Sequence, residues 1–550
     1  MRRSALFVCL VLLLGFTSNA IHAQSSPFPT PHWIKEITLR PELPAKIPDA
    51  EHLSDFVTDG KLRLTLEQAI QLALANNTGV RIDELTYQTS IYNVLSAHSP
   101  FDPSFTSSFS ASRSSTPQPS QLGGATVLSS LTQSSQSNYS QSFETGTSIN
   151  VGLGVSRNNS NSSFNTFNPS LPATLSFSVS QPLLRNRGLF PNRAQILIAQ
   201  RNLHQSRASF QAQVSLIIES VVSQYWNVVL ARETLNVDRE SVKEAQASYD
   251  HDKRSLELGG LGPYDIFQSE SQLASRKVAA IQAEYALKQQ EDSLRVLLGA
   301  ALDPKVSALD MDLTEAPEPV GDLLTMDVGQ VIEKAHAKRP EYEIYRDSLA
   351  VDDMNIRVAH NQMQPSLNLS GFYDGSSLAG DQLDTSTTPP TIISATGLGY
   401  ALSQAAQFTS PTYGFSLTLS LPIRNRAAEA SLGSSEVSKR RDLYSQRSNE
   451  ESIRLEARNA INQLEVAKLS LAEAKVALDL TQKNLDGEQR KYDLGSIQIF
   501  ELLQVQNQLT TAQQAVVQAQ VAYQLALIAV DHATGELLEK HHVQIRDPKP

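Results

Sequence analysis

The chain makes the same helical turn twice, and this repetition constrains its fold more than any other feature of the sequence. The stretch LELGGLGPYDIFQSESQL (residues 256–273) is matched without a gap by YDLGSIQIFELLQVQNQL (492–509), 236 positions later. Each stretch ends one long helical pattern and begins another. The match predicts an internal duplication in which each half of the chain contains one helical hairpin.

Apolar residues recur at every seventh position on both sides of each turn. In the first half, the stretch from Asn192 to Leu258 contains neither glycine nor proline. A sustained seven-residue repeat is typical of helices that pack as left-handed coiled coils. One such helix would be a rod of about 100 Å, at about 1.5 Å per residue. The repeats predict four long helices, at about residues 191–258, 263–299, 426–494 and 498–535.

The segments between these helices alternate apolar and small polar residues with a period of two. Examples are TSINVGLGVS (147–156), TLSFSVSQP (174–182) and GFSLTLSLP (414–422). Strands with one apolar and one polar face produce this pattern, and they are expected over about residues 103–182 and 366–421. The apolar faces could meet a second sheet in a soluble sandwich, or lipid in an outer-membrane barrel. Alternation alone leaves both alternatives open.

The N-terminal residues have the pattern of an export signal. Two arginines precede the apolar run ALFVCLVLLLGF, and small residues follow it. This predicts a secretory signal peptide over residues 1–23, cut after Ala23 or, alternatively, after Ala20. Cys9 lies within it and is the only cysteine of the sequence. The exported chain is therefore not expected to depend on disulfides or on thiolate metal sites.

Charge and motifs argue against several functional classes. The sequence has 46 Lys and Arg against 57 Asp and Glu, a net charge of −11. Nucleic-acid binding is disfavoured because it needs basic patches that displace counterions. The sequence contains no His-Glu-x-x-His motif, no phosphate-binding loop and no serine in a glycine elbow. We therefore expect neither an enzyme nor a bound cofactor or metal.

The export signal, the duplication, the glycine-marked turns and the strand–proline–helix junctions together resemble the TolC-like outer-membrane efflux proteins. The junctions are SVSQPLLRNR (178–187) and LSLPIRNR (419–426). The resemblance covers nearly everything from about Leu62 to Leu538. The expected domains are an N-terminal periplasmic extension (24–61), a first TolC-like repeat (62–315), a second TolC-like repeat (316–538) and a mobile tail (539–550).

This resemblance implies a tandem duplicated fold of long antiparallel coiled-coil helices and membrane strands. Three protomers would share one β-barrel in the outer membrane and form a helical tunnel across the periplasm. Such a homotrimer would be the exit duct of a tripartite efflux or type I secretion system. Its partners would be a periplasmic adaptor (membrane fusion) protein, an inner-membrane transporter of the RND or ABC type, and outer-membrane lipid. The alternative is a non-channel structural coiled-coil protein of the periplasm or cell surface.

In that family, residues at the two turns form the closed periplasmic gate and the contact with the adaptor. Ile497 and Gln504 depart from the family pattern, because some members have an arginine and a second acidic residue at these places. The departures predict a gate that depends less on ion pairing. The implied gate residues are Tyr492, Gly495, Ile497, Glu501, Gln504 and Asp265. The implied adaptor contacts are Gly259, Gly260, Leu261, Gly262, Leu494, Gly495 and Ser496.

The number of strands stays open at this level. The second half offers two strands, at about Ser366–Asp374 and Tyr413–Leu421, whereas the first half offers four. Two of those four form an extra hairpin that turns at Thr145–Gly146. Four strands per protomer, as in the family, would give twelve in a trimer, and including the hairpin would give eighteen. The resemblance favours twelve, with the hairpin outside the wall and outer loops at 114–132 and 157–171.

Overall fold

The structure is a computed structural model of the chain. The chain divides into two units, Met1–Asp49 and Ala50–Pro550, and every described residue belongs to the second. The described residues are 53–120, 123–260, 262–303, 306–319, 326–384, 386–387 and 390–545. The predicted signal peptide, most of the predicted extension and the last five residues lie outside these ranges.

The first half contains short elements, a strand meander and two long helices. Its elements are β1 (Val57–Thr58), β2 (Lys61–Leu64), α1 (Leu66–Asn76), α2 (Thr78–Ser96), β3 (Ser104–Pro117), β4 (Val127–Ser142), β5 (Ser148–Ser160), β6 (Phe167–Pro182), α3 (Leu189–Glu257), α4 (Ile266–Leu297) and β7 (Met311–Leu313). Helix α1 begins after Thr65, because the Thr65 hydroxyl accepts from the N–H of Gln68 and completes a capping box. Helices α3 and α4 form the first hairpin.

The second half repeats this order with fewer strands. Its elements are α5 (Val328–Lys338), α6 (Pro340–Gln362), β8 (Ser366–Asp384), β9 (Thr391–Ala395), α7 (Leu398–Ala406), β10 (Ser410–Ser420), α8 (Arg426–Asp493), α9 (Ile499–Thr534) and α10 (Leu537–Lys540). Helices α8 and α9 form the second hairpin. The bounds of all four long helices lie within three residues of those expected from the heptads.

In the described part of the chain, the larger sheet is antiparallel, with the strand order β10-β8-β6-β5-β4-β3, and β9 pairs with the far end of β8. The pairing of β6 with β8 joins the two halves of the chain. The expectation that the extra hairpin lies outside the wall is wrong for this sheet. Its strands β4 and β5 lie between β3 and β6 and are paired on both sides along most of their length. This pairing satisfies backbone groups that an outlying hairpin would leave open.

The strands are also longer than the sequence predicts, and the loops are shorter. Strand β8 extends ten residues beyond the expected Asp374, because its far part pairs with β6 and β9. Much of the expected outer loops at 114–132 and 157–171 is strand, since β3 to β6 continue into them. The turn at Thr145–Gly146 lies where predicted, between β4 and β5. Strand β9 and helix α7 have no counterpart in the sequence-based expectation.

The register gives the sheet one apolar and one polar face. Directly paired residues on neighbouring strands point to the same side. One row of such residues crosses six strands as Phe105, Tyr139, Val151, Phe177, Tyr373 and Tyr413. The adjacent row, on the opposite side, is Thr106, Asn138, Gly152, Ser176, Asp374 and Thr412. We call these two sides the apolar face and the polar face of the sheet.

The main apolar core lies around the middle of α3, where α1, the end of α4 and the end of α9 pack against it. Tyr225 and Trp226 lie at its centre, with their rings at 81° to each other. The small sheet β1-β2-β7 closes one side of this core. Val543 and Ile545, from the segment predicted as a mobile tail, also pack against it. A second cluster joins α8, α9 and α5.

Apolar packing on the incoming helices decreases toward the two turns. Beyond Leu235, the buried described residues of α3 are Asp238, Ser241, Ala245 and Asp252. Beyond Leu471, no described residue of α8 is buried. The returning helix α9 keeps buried apolar residues near its turn, including Leu502 and Leu509. The part of the hairpins next to the turns is therefore held by a thinner and more polar interface than the core.

Among the described residues, α3 is the one helix long and apolar enough in part to cross a membrane. Within its most apolar stretch, 44% of the residues are buried inside the protein. The same stretch of α3 contributes valines to the main core, including Val221 and Val228. The apolar composition of this stretch is therefore explained by the position of α3 in the protein core, and no membrane span is needed to explain it.

Candidate functional site at the helical turns

Both turns end their incoming helix in the same way. Gly259 and Gly495 have φ angles of 78° and 68°, in the left-handed region that glycine tolerates best. The N–H of each glycine donates to the carbonyl three residues earlier, at 3.0 Å and 2.8 Å. The next N–H, of Gly260 or Ser496, donates to the carbonyl five residues earlier, at 2.8 Å and 2.9 Å. This pair of bonds is the Schellman motif, and it explains why the leucine–glycine pair recurs in both halves.

A buried carboxylate lies two helical turns before the first of these glycines. Asp252 of α3 is 1% exposed and accepts hydrogen bonds from both hairpins. Ser269 of α4 donates its hydroxyl to Oδ2, and Tyr492 of α8 donates its hydroxyl to Oδ1 at 2.7 Å. Nδ1 of His251 lies 3.2 Å from the same Oδ1. Since a buried charge is tolerated only when it is paired or hydrogen-bonded, these donors hold the two hairpins together around Asp252.

The Tyr492 hydroxyl is a permanent donor in this arrangement. Burial raises the pKa of Tyr492, and the hydrogen bond to Asp252 and the negative charges of Asp252, Asp265 and Asp493 raise it further. The phenol therefore remains protonated well above neutral pH. The bond between the hairpins does not depend on the titration of this tyrosine.

Further side-chain hydrogen bonds join α9 to the first hairpin at increasing distance from the turns. From the turns toward the core they are Gln506–Ser248 (3.2 Å), Asn507 with Gln272 and Arg276, and Gln514–Asp238 (2.8 Å). In each of these contacts, and in the Tyr492–Asp252 bond, at most one of the two side chains is charged, so none of them is an ion pair. Among the described residues, the ion pairs near the turns, such as His251–Asp252 and Lys491–Glu488, lie within one hairpin.

The predicted acidic gate residues face solvent. Glu501 lies in the first turn of α9 and is exposed, and Asp265 is exposed at the N-cap position of α4. Asp265 makes no side-chain capping bond. Gln504 is exposed as well, whereas Ile497 is half-buried in the turn between α8 and α9. The structure thus brings Tyr492 into a contact between the hairpins and leaves both acids free to face a neighbouring chain or water.

The residues predicted to contact an adaptor lie at the surface of the turns. Leu494 is 81% exposed, and Gly259, Gly260, Gly495 and Ser496 are exposed with it. Gly262 is half-buried, and a Cβ there would lie 2.7 Å from Oδ2 of Asp265. Leu261 lies outside the described residues. Sequence reasoning missed further exposed apolar side chains at the turns, namely Leu258, Tyr264, Phe267 and Phe500.

Sequence reasoning also missed Asp252 and Ser269, although a signal was present. Asp238 and Asp252 stand three residues after the heptad positions Leu235 and Tyr249. In a coiled coil, these places normally pack against the partner helix. A charge there is costly unless it is paired, so the two aspartates indicate specific polar contacts.

A buried ionic cluster lies far from the turns, where both hairpins meet the short helices. His532 of α9 lies 2.9 Å from Glu456 of α8 and 3.5 Å from Glu219 of α3. Arg339, just before α6, is paired with Glu456 and with Glu341, each at 2.7 Å. Burial alone would lower the pKa of His532, but the hydrogen bond with Glu456 and the charges of Glu219 and Glu456 raise it overall. The cluster thus favours a charged imidazolium between two carboxylates.

Long antiparallel hairpins on a two-faced sheet, with equivalent glycine turns, define the class of TolC-like outer-membrane proteins. The model of the family described as "Outer membrane efflux protein" matches residues 147–300 and 331–536, which is more than half of the sequence. The chain belongs to the outer membrane efflux protein family. Its location is accordingly the outer membrane. This confirms the resemblance drawn from the sequence.

Two relatives from Pseudomonas putida illustrate the similarity. The chain is 24% identical over 321 residues to "Probable efflux pump outer membrane protein TtgC" and to "Antibiotic efflux pump outer membrane protein ArpC". Each match covers 57% of this chain and 59% of the relative, so it spans less than two thirds of these relatives.

Solved channel structures share the fold over most of their length. The outer-membrane channel OprN is 16% identical, with a TM-score of 0.62 over 86% of this chain and 89% of OprN. The CmeC outer membrane channel of Campylobacter jejuni is 16% identical, with a TM-score of 0.60 over 94% of both chains. At these identities, the likeness concerns the fold alone.

Proposed function

We propose that three copies of this chain form a closed β-barrel in the outer membrane, continuous with a helical tunnel across the periplasm. The trimer then serves as the exit duct of a tripartite efflux or type I secretion system. The observation that carries this proposal is the sheet, which has one apolar face, one polar face and two open edges. In lipid, a sheet satisfies its backbone groups only by closing on itself.

The two edge strands are suited to closure between protomers. Strands β3 and β10 are exposed along almost their whole length. They run in opposite directions, since every neighbouring pair along the path between them is antiparallel. Pairing β3 of one protomer with β10 of the next therefore continues the same antiparallel pattern. Unpaired edges of this length would otherwise invite aggregation.

Six strands on the path from β3 to β10 give an eighteen-stranded barrel in a trimer. This is the larger of the two numbers that the sequence left open. Barrels of 16–18 strands leave an aqueous channel, whereas small ones are filled by side chains. The polar face, which includes Asn138, Ser176 and Asp374, would line that channel. The apolar face would meet lipid.

The helical part of the duct follows from an internal duplication. Glycines with left-handed φ angles end all four long helices at equivalent places: Gly259, Gly299, Gly495 and Gly535. Three chains with two equivalent hairpins each would place six hairpins around one axis. Six hairpins around one axis favour a hollow tunnel over a solid coiled coil. The solid coiled coil corresponds to the non-channel structural protein that the sequence left as the alternative.

We place the gate of the duct at the turns and assign the bond between Tyr492 and Asp252 to its closed state. To open, the second hairpin must separate from the first, which breaks the bond between Tyr492 and Asp252. Three copies of Glu501 around the axis would repel one another and attract cations at the opening. The gate thus combines a hydrogen-bonded latch within each chain with a ring of charges between chains.

The partners in this proposal are a periplasmic adaptor protein and an inner-membrane transporter. Exposed apolar side chains at both turns, such as Leu258 (88%) and Leu494 (81%), offer the adaptor a contact surface. Relatives are named for efflux of antibiotics and of toluene, which favours efflux of small molecules over protein secretion.

Cryo-electron microscopy of the protein extracted from outer membranes tests the proposal. We expect a hollow threefold cylinder with eighteen strands in its wall and a constriction at the turns. A compact particle, or a solid rod without a lumen, would show that the heptads belong to a structural coiled coil. A threefold cylinder with twelve strands would retain the duct but refute the proposed wall.

A further inference from the structure

Helix α7 (Leu398–Ala406) lies against the sheet at a single patch of small residues. Ala401 and Ala405 of the helix are fully buried against Ala173 of β6 and Ala379 of β8. The hydroxyl of Ser377 donates to the carbonyl of Ala401 at 2.6 Å. The helix is therefore docked on the sheet by both packing and a hydrogen bond.

The patch belongs to the apolar face. In the register of β6 with β8, Ala173 pairs with Ser377 and Phe177 pairs with Tyr373, so all four point to one side. The ring of Phe408, which directly follows α7 and Gln407, lies 4.9 Å from that of Tyr373 and 6.0 Å from that of Phe177. Helix α7 thus lies on the side that the proposed function assigns to lipid.

The sheet leaves room for this helix at a patch of small residues, which we call the seat: Gly375, Ala173 and Ala379. A Cβ added to Gly375 would lie 2.4 Å from the carbonyl oxygen of Ala405 and 2.7 Å from the ring of Phe408. Gly371, four residues earlier on the same face, has nothing within 4 Å of an added Cβ. A side chain at Gly375 would therefore collide with the docked helix, whereas a side chain at Gly371 would not.

The height of the seat matches the outer edge of a membrane span. A membrane strand tilted at about 45° needs about 9–11 residues to cross the hydrocarbon layer. Counted from Ser366, where β8 begins next to the helical part, this span ends at about Gly375 to Ser377. The same count from the end of β6 at Pro182 arrives near Ala173. Both strands therefore place α7 at the boundary of the outer leaflet.

The exposed side of α7 suits that boundary. Leu398 is 45% exposed and Tyr400 is 52% exposed. From Thr385 to Ile423 the sequence has no charged residue, in a chain of which 19% is charged. Tyrosine is enriched at membrane–water interfaces because its ring is apolar and its hydroxyl is polar.

We propose that α7 is a membrane-interface helix, which lies on the outside of the barrel wall and presents Leu398 and Tyr400 to the lipid of the outer leaflet. This inference rests on the proposed function, because it requires the apolar face to meet lipid. The occupant follows from continuity with that face, which surrounds the helix on β6 and β8. The alternatives are that the exposed side of α7 faces water or a neighbouring protein, and the experiment below distinguishes these from lipid.

Spin labelling tests the position directly, because the sequence beyond the predicted signal peptide contains no cysteine. A single cysteine is placed at Leu398, Tyr400, Phe415 or Thr418, labelled, and the protein is reconstituted in lipid vesicles. Phe415 is on the apolar face of β10 and Thr418 on its polar face. The collision rates with oxygen, which concentrates in lipid, and with a water-soluble nickel chelate are then measured for each label.

We expect labels at 398 and 400 to have an oxygen-to-nickel ratio several-fold above that at 418 and no higher than that at 415. A ratio equal to that at 418 would place α7 in water and overturn the inference. Low collision rates with both reagents would place it against protein and overturn it as well. In either case, a lipid-like ratio at 415 would leave the proposed function standing, whereas a water-like ratio at 415 would refute that function.

A pair of matched substitutions tests the seat. With the single label at 400 or, in a separate protein, at 415, Gly375→Val is expected to displace the helix and to change the ratio at 400 without changing that at 415. Gly371→Val, on the same face with open space around it, is the control and should leave the ratio at 400 unchanged. Equal behaviour of the two variants would show that α7 does not depend on this seat.

Discussion

The core around Tyr225 and the region next to the turns use the same helices but different interactions. In the core, large apolar side chains from α1, α3, α4 and α9 exclude water. Near the turns, α3 offers aspartate, serine and alanine to its neighbours, and the hairpins are joined by isolated hydrogen bonds. Buried apolar area contributes most of the stability of a fold, so the first region is the anchor.

This difference indicates where the molecule can move. Local opening has a low free-energy cost where few apolar contacts must be broken. A hydrogen bond such as that between Tyr492 and Asp252 is directional, so a small displacement breaks it, whereas a packed core resists until it is disrupted as a whole. The hairpins are thus fixed at one end and separable at the other, as the proposed gated duct requires.

The largest expected effect on stability comes from opening a cavity in the anchor. Tyr225 is fully buried, and its hydroxyl donates to Glu315. We expect Tyr225→Ala to lower the free energy of unfolding by about 3–5 kcal/mol, as for other large aromatic truncations. Thermal unfolding followed by the helical circular dichroism signal measures it. Tyr444→Ala, at an exposed position of α8, is the control and should cost about 0.5 kcal/mol or less. Similar losses in both variants would remove the distinction between the two regions.

The ionic cluster next to the anchor should make stability depend on pH. The pKa of His532 is raised above its ordinary value of 6.5, so its contribution is complete below about pH 6.5 and is lost as the pH rises through the raised pKa. Despite burial, the hydrogen bond from His532 and the charge of Arg339 lower the pKa of Glu456 below its ordinary 4.5. The contribution of Glu456 is therefore present above about pH 4.5 and lost as the pH falls.

Unfolding midpoints measured between pH 4 and pH 9 test this dependence. His532→Gln should be less stable than the natural chain at pH 6. Its unfolding midpoint should no longer decline as the pH rises through the raised pKa of His532. His204→Gln, at an exposed position of α3, should keep the natural profile. If the unfolding midpoint of His532→Gln declined with pH as in the natural chain, another titrating group would be responsible for the decline.

At the turns, the expected effect on stability is intermediate and the expected effect on gating is large. Tyr492→Phe removes one donor from buried Asp252, which costs about 1.5–3 kcal/mol for a bond to a charged group. Because this loss acts on the closed state alone, the open fraction should rise more than tenfold. The conductance of single channels in planar bilayers measures the open fraction. Tyr444→Phe makes the same chemical change on an exposed ring of the same helix and should leave the conductance as it is. An unaltered Tyr492→Phe channel would exclude the latch.

The smallest expected effect on stability belongs to Glu501→Gln, because the side chain is exposed and the change should lie within about 0.5 kcal/mol. Its effect on ion selectivity should be clear, since it removes three negative charges from the proposed ring. We expect a reduced cation preference in reversal-potential measurements. Glu270→Gln, also exposed but on α4, provides a matched loss of charge. Unchanged selectivity in Glu501→Gln would exclude this residue from the pore lining.

The sequence predicted the helices well because their signals are local. Heptads fix the seam of each helix, and a glycine ends each one within a few residues. The place of the β4–β5 hairpin was predicted wrongly, because alternation identifies strands but does not fix their pairing, and the resemblance favoured four strands per protomer. Helix α7 was missed because a short apolar segment has no clear period. The heptad position of Asp252 indicates a polar contact, but its partner could not be predicted, because Tyr492 lies 240 residues away.

The long helices α3 and α8 contain 69 and 68 residues, and the two turns are related by a constant shift without a gap. An insertion in α3 alone would move one turn beyond the other and separate Asp252 from Tyr492. Its returning partner α4 would also fail to reach the core. A chain of this design can span a wider periplasm only by gaining the same number of residues in four helices. Changes in reach should therefore arise in evolution as coordinated sets of insertions, in whole helical turns.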